Sequence, residues 1–221
     1  MLTIDRELLD ADGLPRTDTL EAILRKHDHQ RERLERLHGV YAREHSITRR
    51  IRLKGLPNNR LVHDLPGYIA TMAAGYLVGN PVRYTAAEGQ EEAFTPVLEA
   101  YEAASVESVD AELAMDAAVY GKAAEVCYAD AEARPRVAQL DARSAFVVYD
   151  DTVEHAPLLG ITRRDTFDAR LERTGEEVTL YTDRLIVHMK RTGRETPRET
   201  MREAHYFGGV PVVEYWNNAR E

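Results

Sequence analysis

The chain has 221 residues, with 29 Lys+Arg against 38 Asp+Glu and a formal charge of -9. A chain of this length folds as one large domain or two small ones and buries roughly 70% of its unfolded surface, so its core needs no staples. One cysteine, Cys127, excludes an internal disulfide framework and a cysteine-based zinc cluster. No apolar run reaches the roughly 18 residues of a membrane-spanning helix, and the acids of the N-terminal MLTIDRELLDADG do not fit a signal peptide. The expected compartment is reducing: the cytoplasm, or a particle assembled there.

Charge is unevenly distributed. Residues 19–60 carry eleven bases and five acids, a net +6, whereas residues 88–132 carry twelve acids against Lys122 alone, a net -11. This asymmetry fits a polar partner surface, on another molecule or on another copy of the chain, or two solvated helix faces of opposite sign.

In chain order the pattern runs from helices to strands. Residues 1–18 read as irregular, broken by Gly13 and Pro15. Thr17 or Asp18 caps a helix from about Thr19, with Glu21 in the capping-box position. Leu20, Ile23 and Leu24, then Leu34, Leu37 and Tyr41, recur at helical spacing. Between them, residues 25–33 are nearly all polar. A helix polar all round is exposed or bridges between bodies, so residues 19–45 are expected to project as an arm. Loop character returns at 46–60. The segment 61–78 is apolar on most faces and is expected to be a buried helix, stopped by Gly79-Asn80-Pro81.

Residues 82–84 read as a short strand, and helices follow at about 91–103 and 106–120, the second ending at Tyr120-Gly121. From Lys122 the period becomes two. Strands are expected at 122–128, 137–140, 146–149, 158–163, 178–181, 184–189 and 201–206. Turns are expected at 130–132, 173–175 and 182–183. Successive short strands without intervening helices imply an antiparallel sheet. The fold class is α+β, N-terminal helices followed by an antiparallel β-sheet.

Motifs that carry chemistry are scarce. The sequence has no phosphate-cradling GxxxxGK[ST], no GxGxxG, no HExxH, no EF-hand loop and no nucleophile elbow. His27 and His29 point about 200° apart on a helix, and no carboxylate pair completes a site around His38 and His45, so the histidines read as solvated rather than metal-ligating. No cofactor is implied. Asp150-Asp151, with His188, is the one constellation a small hydrolase could use, but adjacent strand residues face opposite ways and the pair reads better as a turn. Cys127, on an alternating strand without a basic neighbour, reads as a buried structural thiol. The one dense basic run is Arg49, Arg50, Arg52 and Lys54. It suits phosphate backbone or an acidic protein surface, but the acidic overall balance and the absence of interleaved aromatics argue against a nucleic-acid module. Composition and spacing alone reach a non-enzymatic α+β assembly module.

Two stretches narrow this further. Asn58-Asn59-Arg60-Leu61-Val62-His63-Asp64-Leu65-Pro66-Gly67-Tyr68-Ile69, continuing to Gly75-Tyr76-Leu77-Val78-Gly79-Asn80-Pro81-Val82-Arg83-Tyr84, resembles a signature of tailed-phage portal proteins of the siphovirus type. Gly208-Gly209-Val210-Pro211-Val212-Val213-Glu214-Tyr215-Trp216-Asn217-Asn218 resembles a second. Between them, 112–123 (with Tyr120-Gly121), 145–151 and 180–183 fall in the family's order, so the resemblance covers about 58–218.

The resemblance implies a structural, non-enzymatic subunit of a ring, typically a dodecamer of copies of the chain, at one capsid vertex of the virion. It also implies assembly in the host cytoplasm and no membrane partner. Double-stranded DNA passes through such a ring. Terminase, head-completion proteins and capsid or scaffold proteins are its implied partners. The expected organisation is an N-terminal extension and helical arm at 1–57, followed by an α+β wing domain at 58–221, with stem, clip and crown outside this chain. Because the wing surfaces look polar, the isolated chain is expected to be monomeric or weakly associating.

Overall fold

The computed structural model describes residues 1–52, 55, 57–193 and 195–217. The class is α+β, as the sequence pattern implies. In chain order come strand β1 (Leu2–Ile4) and the helices α1 (Thr17–Tyr41), α2 (Leu65–Val78), α3 (Glu91–Ala103) and α4 (Val106–Tyr120). Eight strands follow: β2 (Lys122–Ala129), β3 (Pro135–Leu140), β4 (Ala145–Asp150), β5 (Pro157–Phe167), β6 (Arg173–Tyr181), β7 (Leu185–Thr192), β8 (Arg198–Ala204) and β9 (Val212–Trp216). One sheet has the order β1-β4-β5-β6-β7-β8 and a smaller one the order β3-β2-β9. All pairings are antiparallel except β1–β4, which is parallel with Leu2 opposite Val148.

The layers follow from alternation along β4. Phe146 and Val148 face α1, joining Leu20, Ile23, Leu24, Leu159, Ile161, Val178 and Val187 in the main core. Val147 and Tyr149 face the small sheet and meet Val126, Val212 and Val210. The far face of the small sheet carries α4, through Val109, Leu113 and Ala123. α2 then lies outermost, packed on α4 and, more lightly, on α1. Gly160 on β5 makes the close approach of the two sheets possible, because a Cβ there would stand 2.6 Å from Val212 Cβ.

Several sequence expectations are corrected. α1 is not a projecting arm: its first half lies across the large sheet, and His27, in the middle of the polar stretch, is fully buried. Its N-cap is Arg16, without a side-chain cap. Residues 82–84 form no strand; Tyr84 instead packs edge-on against Tyr101 with ring centroids 4.7 Å apart. The expected turn at 173–175 belongs to β6, and the reversal falls at 168–172, where Asp168 Oδ1 accepts from the N–H groups of Arg170 and Glu172. β1 has no sequence signal, since three residues are too few to show a period.

α1 tolerates burial because its polar middle is matched by a buried arginine from β5. The Arg163 guanidinium grips Glu176 in a two-pronged pair (2.6 and 3.3 Å). Its Nη1 donates to Asp28 Oδ1 (2.7 Å), His27 Nδ1 (3.0 Å) and the Leu24 carbonyl (3.3 Å). The His27 ring stacks on Phe146 at 4.0 Å. Accepting from Arg163 requires a neutral imidazole. Burial first, and the Arg163 charge second, push its pKa down from 6.5 to about 2.

His27 therefore contributes stability that is fully present above pH 6.5 and lost as pH falls toward 2, because only the unfolded chain takes up the proton. Asp116 acts in the opposite sense below pH 6: burial raises its carboxyl to about 6, so the folded chain holds the extra proton. The His27 contribution is thus read as a difference. In urea denaturation, the stability advantage of wild type over His27→Asn should shrink by about 1.4 kcal/mol for each pH unit below 6.5. Parallel pH profiles would show that His27 protonates freely in the folded chain.

Gly160→Val should cost about 1–3 kcal/mol or more through overpacking against Val212, and Gly160→Ala less. A neutral Gly160→Val in the same denaturation assay would show that the two sheets separate easily.

Candidate assembly surface

The basic run sits on a loop held by its own backbone. After a short 3₁₀ turn, Ser46–Arg49, the Arg50 carbonyl accepts from Asn58 Nδ2 (3.1 Å) and the Thr48 carbonyl from Arg60 Nη1 (3.1 Å). Arg52 Nη1 donates to the Pro57 carbonyl (3.3 Å). The Asn58 and Arg60 side chains thus clamp the loop, while Arg49 and Arg50 stay exposed. Asn59 is exposed as well. Lys54 and Asn218 lie outside the described residues.

The loop feeds directly into α2. Asp64 caps it by accepting from Gly67 N–H (3.2 Å), and its other oxygen pairs with Arg43 from the end of α1 (2.5 Å). Residue 67 is glycine because a Cβ would lie 2.4 Å from Asp64 Oδ1. The helix ends with Gly79 N–H on the Gly75 carbonyl (2.9 Å), and Pro81 follows in the exposed segment.

α2 itself is where the sequence expectation fails most clearly. Only Gly67, Ala70 and Ala74 are buried, and they form the stripe that packs on α4 and α1. Leu65, Tyr68, Ile69, Met72 and Leu77 are between 57% and 69% exposed, and Tyr76 is 96% exposed. Met72, Ala73, Tyr76 and Leu77 wall an open groove of about 480 Å³ whose other side is Ala114, Ala117 and Ala118 of α4. An apolar face this continuous is uncommon on a solitary soluble chain.

α3 is similarly underpacked. It buries no side chain fully, and it touches β3 and α4. Glu91, Glu92, Glu99 and Glu102 are all exposed. Its sequence carries a second stripe, Phe94, Val97, Leu98 and Tyr101, half-buried to exposed.

The separate signatures of the sequence meet in space. Gly121, in a left-handed conformation (φ 77°), turns α4 into β2, and its carbonyl accepts from Asn217 N–H (3.0 Å). Asn217 Nδ2 donates to the Ala117 carbonyl (3.2 Å), which also accepts from Gly121 N–H (3.1 Å) at the end of α4. Tyr120 OH bonds His38 Nδ1 of α1 (2.8 Å). Pro211 is buried, and its carbonyl accepts from Cys127 N–H (2.8 Å). Cys127 is half-buried, and burial raises its thiol pKa. Lys122 is buried beside them, donating to Glu214 Oε1 (2.9 Å) and the Ala145 carbonyl (3.0 Å), 5.8 Å from the Trp216 ring.

Sequence reasoning missed this buried pair and the Arg163 cluster. The only available signals were a lone lysine in an acidic stretch and a glutamate inside an apolar strand.

The hydrolase constellation does not assemble. Asp150 is buried and closes the β4–β5 turn, its Oδ1 accepting from Thr152 Oγ1 (2.8 Å) and Ala156 N–H (2.9 Å), which lower its pKa. Asp151 is exposed. His188 stands opposite Thr179, which stands opposite Thr162, which stands opposite Ala145. It is therefore three strands across from β4, roughly 14 Å at the usual spacing, and level with the other end of that strand. Among the described residues no cluster of three or more His, Cys, Asp or Glu suits a metal, and no helix is long and apolar enough to cross a membrane.

A family model described as "Phage portal protein, SPP1 Gp6-like" matches residues 20–221. The chain belongs to the phage portal protein family. The match takes in nearly all of α1 as well as the signature regions. No curated protein matches the chain.

Exposure predicts how α2 of this portal chain responds to truncation. Ile69→Ala should cost less than about 1 kcal/mol in the isolated chain, against the 2–5 kcal/mol of a core isoleucine. Chemical denaturation of the monomer measures it. A loss in the core range would mean that α2 is buried in solution.

Proposed function

We propose that this chain is the wing-like part of a portal subunit, comprising an N-terminal portion at 1–57 and an α+β body at 58–221. In this reading it is a structural, non-enzymatic component of a ring of its own copies, seated at one vertex of the capsid. Double-stranded DNA would enter during packaging and leave on ejection through the ring. Capsid or scaffold proteins, terminase and head-completion proteins are the expected partners, and assembly takes place in the host cytoplasm.

The observation that carries this reading is the meeting of the signatures at one junction. Tyr120-Gly121 and Asn217 interlock the end of α4 with the end of β9, next to the buried Lys122–Glu214 pair. Residues far apart in the chain thereby join the end of α4 to the end of β9. Two strongly shifted groups are taken up in packing, which supports a structural role: His27 is engaged with Arg163 and Asp116 with Gln139.

The test is incorporation. Produced with its cognate capsid and scaffold proteins, the protein carrying an epitope tag should label one vertex per particle in immuno-electron microscopy. Uniform labelling of the shell, or exclusion from particles, would overturn the reading.

A further inference from the structure

We infer that α2 with its basic loop on one copy of this chain docks against α3 of the next copy, in a head-to-tail contact. The inference rests on the ring reading above and names the surfaces that close the ring.

Two half-sites on the chain are complementary, and among the described residues α2 and α3 share no extensive packing. The first is the exposed face of α2, with Tyr68, Ile69, Met72 and Tyr76 along it, joined at its N-terminus to a loop rich in bases. Residues 43–60 carry Arg43, Arg49, Arg50, Arg52, Lys54 and Arg60 against Glu44, a net +5. The second half-site is α3 and its approach. Residues 88–103 carry Glu88, Glu91, Glu92, Glu99 and Glu102 and no base, a net -5. Both pair an apolar stripe with a charged flank, and the signs are opposite.

Within one chain, α2 packs against α4 and α1, whereas α3 packs against β3 and α4. A two-fold contact centred on the α2 face would set basic loop against basic loop, and a reciprocal two-fold pairing of α2 with α3 would use up both half-sites in a dimer and leave none for the ring on which this inference rests. A heterologous contact pairs opposite charges and leaves one free half-site at each end, which a ring closes. The occupant of the α2 face is therefore a second copy.

The test uses the whole chain. Sedimentation equilibrium of wild type at physiological salt should show self-association below 100 µM that weakens as salt rises. Glu91→Arg/Glu92→Arg/Glu99→Arg and, separately, Arg49→Glu/Arg50→Glu/Arg52→Glu should each weaken it at least tenfold. Both sets combined in one chain should restore it to within a few-fold of wild type.

In a Cys127→Ala background, Tyr76→Cys mixed with Leu98→Cys should form mixed disulfide-linked pairs on mild oxidation, and Tyr76→Cys alone should not. No association of wild type at 100 µM, failure of the combined reversal to rescue, or Tyr76→Cys homodimers would overturn the inference. So would salt-sensitive binding of duplex DNA that depends on Arg49, Arg50 and Arg52 while self-association ignores them. Association through another face sinks this inference and leaves the portal reading intact. Failure to label a vertex sinks the portal reading, whatever the charge swap shows.

Discussion

The structure depends on β4 being buried on both faces. Phe146, Val147 and Val148 are all almost wholly inaccessible, yet they serve different neighbours: the first and third support α1, the second the small sheet. A strand in the middle of one sheet is thereby made the common wall of two cores. Everything else is placed relative to it. β1 lies along its free edge, β5 carries the glycine that lets β9 approach, and α1 lies across its helix-facing side. A polar residue at 147 would open one core and a polar residue at 146 the other, so the strand tolerates none of the alternation expected of a half-exposed sheet.

How much of this is legible in sequence depends on whether the signal is local. The helices at 91–103 and 106–120 and most of the strands are visible because their periods and stop signals lie within the segment itself. The position of α1 is not. Its stretch from Arg25 to Arg33 looks solvated, and nothing nearby reveals that Arg163, more than 130 residues later, will neutralise Asp28 and hydrogen-bond His27. Buried polar groups are tolerated only when partnered, and the partner is a tertiary fact. The same holds for Lys122, whose glutamate is 92 positions away.

α2 shows the converse error. An apolar helix implies burial, and in the single chain that inference fails; the contact inferred above would supply the missing cover. Sequence reports that Tyr68, Ile69, Met72 and Tyr76 avoid water, without saying whether the covering surface belongs to the same molecule. The small residues Ala70 and Ala74 mark the intramolecular side, because they let α4 come close; the large ones mark the side left open. Size along the helix, more than hydrophobicity, separates the two faces.

Magnitudes divide the work between charge and apolar surface. Exposed ion pairs contribute about 0–1 kcal/mol each, so a net +5 against a net -5 cannot by itself meet an association cost of roughly 4–15 kcal/mol. Fully burying one large apolar side chain is worth about 1.5–3 kcal/mol, and α2 exposes six of them from Leu65 to Leu77. Affinity must therefore come from the helix face. The charges are better suited to choosing its partner: they disfavour copies meeting loop to loop, speed the encounter of loop with α3, and set the direction in which successive subunits add.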